Sequence, residues 1–343
     1  MPAPSPFEQF RREGTPVTPK AAPAGTRPEI WADWQSDWLE YYTQEPTPMT
    51  CILPQIDADQ EGNLKGKLCV LIGTGGTRKS FFAKQVIATN ILGYGSRFVY
   101  YSMEMGKPEV VSRFLDMVIA PENGESASSY LKRAVREDKA GVTEYLQSCS
   151  QLLTDNLVLS NTSGATVPDC EKLLLDTMAA YGPVDGLCID GLSAMGGGGD
   201  ETQRFNQITL DLKELAKKYN LFILLICHTT KAAKGYTRDS REFVRGSEKI
   251  LDNADFSICF SNIIDVRDST PDNIIYAKHL GHIKYYNKRG SGMMLNQLME
   301  FDGLTKSFAC ASAPLMEFPD YDTFTREYNA EKRKAERRDN PSF

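Results

Sequence analysis

Residues 70–85 read VLIGTGGTRKSFFAKQ. Gly73, Lys79 and Ser80 fit the spacing G-x-x-x-x-G-K-[ST], in which main-chain N–H groups and a lysine gather around phosphate oxygens. The apolar run KLCVLIG enters this turn and SFFAKQVIATNIL leaves it as a helix, the setting in which a helix N-terminus meets an anion. The chemistry predicted is nucleotide binding along Gly73, Thr74, Gly75, Gly76, Thr77, Arg78, Lys79, Ser80 and Phe81. Lys79 is expected to reach the β- and γ-phosphates, and the Ser80 hydroxyl to ligate Mg²⁺. Arg78 stands where the pattern has its second glycine. A side chain held at positive φ costs about 1–2 kcal/mol. That strain is tolerable, Gly75 and Gly76 keep local freedom, and the arginine is expected to bring a cation toward the ligand.

A phosphate loop that hydrolyses nucleotide also needs a carboxylate near the metal and a base for water. Asp190 ends the apolar run VDGLCID and is the candidate for the metal, directly or through water. Glu104 ends YYSME, the run that follows the phosphate loop's helix, and is the candidate base. His228, one of three histidines, ends LFILLICH. There it can hydrogen-bond the γ-phosphate and report its loss to the next loop. That loop, KAAKGYTRDSREFVRGSEK, carries Lys231, Lys234, Arg238, Arg241 and Arg245, and suits a nucleic-acid backbone.

These residues work together only if their strands end on one side of a sheet. The candidate strands are KLCVLIG, RFVYYSME, NLVLSN, VDGLCID, LFILLICH and ADFSICFS. They are unbroken apolar runs, as expected of strands covered on both faces. Helical stretches alternate with them, and one places Phe205, Ile208, Leu212, Leu215 and Tyr219 on a single face. The fold class expected is α/β, with a mostly parallel central sheet. NIIYAKHLGHIKYYNK and MLNQLMEFD read as hairpin strands at one edge.

The expected organisation is a disordered Pro/Ala-rich tail over 1–28, a helix over 29–45, a core over 46–312 and a charged tail over 313–343. In the helix, Trp31, Trp34, Trp38 and Tyr41 form one aromatic stripe, suited either to its own domain or to a neighbouring subunit. A net charge of -6 excludes general polyanion binding, so any nucleic-acid contact must come from local basic loops. The eight cysteines show no C-x-x-C spacing and read as reduced, buried thiols, not a zinc site. The start lacks a signal-peptide core, and LFILLIC is too short for a bilayer; no membrane association is expected.

Taken in order, these stretches resemble the motor domain of the DnaB-type (superfamily 4) replicative helicases and their phage relatives, within the RecA-like P-loop ATPases. GTGGTRKS resembles the Walker A loop, YYSMEM the strand-ending S-x-E-M, and LCIDGLSAM Walker B with the start of the first DNA loop. QRFNQITLDLKELAKKYNLFILLICHTTK resembles the helix and sensor strand, with His228 similar to the phage branch where bacterial members carry glutamine. VRGSEKILDNADFSICFS and HIKYYNKRGSGMMLNQLMEFDGLTKSF resemble the last two motifs. In the final one Tyr286 stands near the expected arginine, leaving Arg289 or Lys288 as the finger, Arg289 preferred, with Lys284 as the accompanying cation.

The resemblance implies ATP and Mg²⁺ between subunits of a ring, usually a hexamer, with single-stranded DNA in its channel. It implies partners of the kind that serve replication (primase, polymerase, loader) and a cytoplasmic setting, phage- or plasmid-encoded in a bacterial host. Under it, 29–45 takes the place of the linker helix that grips the adjacent protomer. The usual N-terminal helical domain is missing, and single-domain plasmid helicases of the RepA type are closer in size. Two rivals stay open: a recombinase-like filament ATPase, and a nucleotide-gated replication scaffold that does not hydrolyse.

Overall fold

The apolar runs form the inner strands of a nine-stranded sheet. The computed structural model describes Gln35 and residues 48–229, 249–287, 289–311 and 319–339. The tail 1–28, the helix 29–45 apart from Gln35, the basic residues Lys231, Lys234, Arg238, Arg241 and Arg245, and Lys288 lie outside the described residues. The chain divides into Met1–Pro46 and Thr47–Phe343, and the sheet belongs to the second unit.

Strands β1 (Leu68–Gly73), β2 (Phe98–Ser102) and β4 (Gly186–Asp190) are buried along their whole length. So is β5 (Phe222–His228), up to His228 itself. With β3 (Leu157–Ser160) and β6 (Phe256–Ile264) they run parallel, in the order β3-β2-β4-β5-β1-β6. Parallel neighbours need long crossovers, and helices supply them on both faces. The two expected hairpin strands are β7 (Tyr276–Asn287) and β8 (Met294–Asp302). They extend the sheet antiparallel beyond β6, and β9 (Ser307–Cys310) completes it.

Side chains alternate across each strand, so β1 feeds two cores. Cys69 and Leu71 pack with Phe82, Val86 and Ile87 of α2 (Lys79–Tyr94). Leu68, Val70 and Ile72 pack on the other face with Phe205, Ile208, Leu212 and Leu215 of α8 (Glu201–Lys218). That apolar face is the one the sequence periodicity predicts. The α8 N-terminus is capped by the Asp200 carboxylate, which accepts from Gln203 N at 2.9 Å, and Lys217 and Lys218 close its last turn.

The first described helix, α1 (Pro54–Asp59), precedes β1. Between β2 and β3 lie α3 (Lys107–Val118), α4 (Ala127–Glu137), α5 (Lys139–Cys149) and α6 (Gln151–Asn156). Helix α7 (Val167–Tyr181) leads to β4 and the short α9 (Lys249–Asn253) to β6. Beyond residue 312, α10 (Tyr321–Asp339) buries Phe324 against Ile264, with Ile274, Tyr276, Tyr321 and Tyr328 around it. The packed region therefore continues into the segment read as a charged tail. Aromatic residues spaced for one helix face, Tyr321, Phe324 and Tyr328, explain the docking. Among the described residues, no helix is long and apolar enough to cross a membrane.

Candidate active site

Strand register decides which residues meet. Gly73 of β1 pairs with His228 of β5, and Ser102 of β2 pairs with Asp190 of β4, so the carboxyl ends of these strands form one ledge. The carboxyl edge of a parallel sheet is where α/β folds place their ligands.

The turn after β1 occupies that ledge. A Cβ on Gly73 would fall 2.7 Å from the Phe260 carbonyl oxygen and 2.7 Å from Thr77 Oγ1, so only glycine fits. Gly76 takes φ +80° with open space beside it. Arg78 takes φ 67°, ψ 20°, the left-handed conformation that the missing glycine would adopt freely, and α2 begins at the next residue. The backbone follows the phosphate-loop path at the cost of strain at this one residue.

The Arg78 side chain departs from expectation. Its guanidinium donates to the carbonyl oxygens of Leu280 (3.1 Å) and Lys278 (2.8 Å) on β7. It also lies 4.7 Å from the centre of the Phe301 ring. The cation is turned away from the turn and onto the antiparallel extension, because carbonyls and an aromatic face there satisfy a planar donor fork. Phe81 likewise packs its ring on Phe301 (5.4 Å between centroids) and beneath the Arg113 guanidinium.

Lys79 is 3 % exposed and donates to the Gly73 and Thr74 carbonyl oxygens, each at 2.8 Å. Burial pulls its ammonium down to about 8, against Asp190, Cys227 and Glu104, which favour the charged form. Ser80 Oγ donates to Asp190 Oδ1 at 2.9 Å, joining residues 110 apart in sequence. Glu104 lies just past β2, and His228 Nε2 is 3.3 Å from its Oε1. Gly191, at φ +120°, makes room for Glu104: a Cβ there would sit 3.2 Å from the Glu104 Cγ and Oε1. The structure thus brings Lys79, Ser80, Asp190, Glu104 and His228 together.

Magnesium prefers hard oxygen ligands, takes few of them from protein, and leaves the rest to phosphate and water. The Ser80 hydroxyl and the Asp190 carboxylate are such a pair, already adjacent. Thr74 Oγ1 is buried with no hydrogen-bond partner among the described residues, a polar atom at the turn that a ligand would satisfy. The residues present fit a magnesium-nucleotide.

Sequence reasoning passed over two residues behind this pair. Lys84, fully buried, donates to the Tyr100 hydroxyl, to Asp190 Oδ2 at 3.4 Å and to the Ser80 carbonyl oxygen at 3.5 Å. Tyr100 in turn donates to Asp190 Oδ2. Burial and the Asp190 charge push the Tyr100 phenol well up, so it stays a donor. Burial lowers the Lys84 ammonium, and Asp190 opposes that. The available signal was a lysine four residues after Ser80, within the otherwise apolar face of α2.

The candidate finger residues sit elsewhere. Arg289, in the β7–β8 turn, is exposed and donates to the Asp252 carbonyl oxygen. Lys284 is half-buried on β7, with its ammonium 5.0 Å from the centre of the Tyr286 ring.

This fold and this site define a P-loop protein of the RecA-like class. A family model, DnaB-like helicase C terminal domain, matches residues 49–284, and the chain belongs to that family. Two solved structures share the fold. The ATPase domain of a phage helicase superposes with a TM-score of 0.65 at 16% identity, covering 84% of this chain and 100% of its own. A DnaB-like replicative helicase, described together with its interactions with primase, gives 0.63 at 17% identity, covering 82% of this chain and 68% of its own. Comparison with curated protein sequences gives no significant match.

Proposed function

We propose that this chain is an ATP-driven helicase motor of DNA replication that hydrolyses ATP at subunit interfaces of a ring, usually hexameric in this family, and moves on single-stranded DNA. The observation that carries the reading is the 2.9 Å bond from Ser80 to Asp190, which places a hydroxyl and a carboxylate where a phosphate loop needs its metal ligands. The bound Mg²⁺ would offset charge on the phosphate oxygens. Lys79, released from the Gly73 and Thr74 carbonyls, turns its ammonium to the β- and γ-phosphates. Glu104 accepts the proton of the attacking water, and His228, beside it, couples that carboxylate to the strand leading to the basic loop. Arg289 is exposed for a neighbour's nucleotide. Lys231, Lys234, Arg238, Arg241 and Arg245 hold the DNA backbone, Lys284 or Lys288 accompanies the finger, and residues 29–45 grip the adjacent protomer.

The test is ATP turnover with and without single-stranded DNA, alongside unwinding of a forked duplex and native mass measurement. DNA-stimulated turnover, unwinding and a closed oligomer are expected. Nucleotide binding without turnover would favour a scaffold. Polymers growing with DNA length, together with strand exchange, would favour a recombinase.

A further inference from the structure

Lys84 is out of place by ordinary rules. A lysine inside an apolar helix face is rarely fully buried unless something demands its charge. Here that something is the metal pair. Ser80 and Lys84 are four residues apart on α2, so Lys84 lies one turn along on the same face, behind Ser80. Its ammonium meets three acceptors: the Ser80 carbonyl oxygen, the Tyr100 hydroxyl and Asp190 Oδ2. A protonated amine has three N–H donors to give them. The Tyr100 ring lies beneath it, 4.5 Å from centroid to Nζ.

The consequence falls on Asp190. Its Oδ2 is held from behind by Tyr100 and Lys84, and only Oδ1 faces Ser80. We propose that Lys84, acting with Tyr100, is a positioning residue that limits Asp190 to one oxygen toward the metal and supplies a resident positive charge behind the site, so that Mg²⁺ is held loosely and exchanges with each nucleotide. The inference rests on the nucleotide-binding reading above. It concerns how strongly this chain demands metal, and neither the identity of the ligands nor the hydrolytic step depends on it.

The experiment uses the full chain and a fluorescent non-hydrolysable ATP analogue, with its affinity measured across a Mg²⁺ titration. Removing a fixed charge close behind a divalent cation should tighten metal binding, so Lys84→Gln and Lys84→Met are expected to lower half-saturating Mg²⁺ roughly tenfold. Lys84→Arg should keep the wild-type value. Neutral variants that melt like wild type yet keep its Mg²⁺ midpoint would reduce Lys84 to a structural filler and overturn the proposal. Should those variants not fold, Tyr100→Phe gives the answer. It keeps the ring but removes the phenol, so the ammonium closes on Oδ2 and the midpoint should rise about threefold; an unchanged midpoint overturns the proposal. Wild type that binds the analogue with no dependence on Mg²⁺ would sink the underlying nucleotide reading instead.

Discussion

Arg78 and Lys278 are 200 residues apart, and the guanidinium of the first donates to the carbonyl oxygen of the second at 2.8 Å. This bond ties the phosphate loop to β7, the strand that runs on to Lys284 and the turn bearing Arg289. The arginine in the glycine position therefore exchanges backbone ease for a strut between the loop and the antiparallel extension. Arg78→Ala should lose the strut and keep the strain. Arg78→Gly should lose the strut but relieve the left-handed residue, recovering about 1 kcal/mol relative to alanine. Denaturant unfolding of both variants checks this; equal stabilities would mean that residue 78 is not left-handed.

Glu104 and Lys79 separate binding from turnover. Lys79→Ala should lose both nucleotide affinity and hydrolysis. Glu104→Gln should bind the ATP analogue as wild type does while turnover falls by about a hundredfold or more. A Glu104→Gln protein with normal turnover would assign the base elsewhere.

The contact between His228 and Glu104 predicts a coupling role for the histidine. His228→Ala should keep basal hydrolysis within a few-fold and lose most of its stimulation by single-stranded DNA. His228→Gln, which keeps a hydrogen-bonding head of similar reach, should retain it. Turnover measured with and without DNA distinguishes them, and equal stimulation in all three proteins would remove the sensor role.

Subunit mixing tests Arg289. Alone, Lys79→Ala and Arg289→Ala proteins should each be nearly inactive. Mixed, they form interfaces in which an intact Lys79 faces an intact Arg289, so activity should reappear in proportion to such pairs. If the mixture is no more active than its parts, the finger is another residue. Lys288 is the next candidate.

Asp59, at the end of α1, fastens the β7–β8 turn. Burial pushes its carboxyl up, but hydrogen bonds from Ser291, Tyr285, Asn287 and Gln60 outweigh this and hold it below its ordinary 3.8. A carboxyl lowered on folding contributes stability that is present above its unfolded pKa and lost as pH falls through the folded value. Asp59→Asn should cost about 1 kcal/mol near neutral pH, at the low end for a charged hydrogen-bond acceptor because water screens a half-buried group. That difference should shrink below pH 3.8. Unfolding curves at pH 7 and pH 3 would reveal it; the same deficit at both would exclude the charge as its source.

Much of this molecule was legible in advance. The unbroken apolar runs announced buried parallel strands, and their polar last residues, Glu104, Asp190 and His228, announced the ledge. The 3.6-residue periodicity of α8 named its buried face. Such features are local: strand burial, helix amphipathicity and turn geometry are written in spacings of a few residues. The sequence also located the phosphate loop, and it identified the residue where strain would lie.

What the tertiary structure alone decided was direction and partnership across long separations. The sequence could not say that the Arg78 guanidinium would leave the loop for β7, since its acceptors are carbonyls placed by a distant strand. Nor could it join Lys84 to Tyr100 and Asp190, because a buried lysine is explained only by the charge it meets. The segment that supplies Phe324 to the core looked like a solvated tail, its few aromatic residues outnumbered by charges. Sequence spacing fixes which face a residue occupies; which groups lie opposite that face follows from sheet order and register, and so from the whole fold.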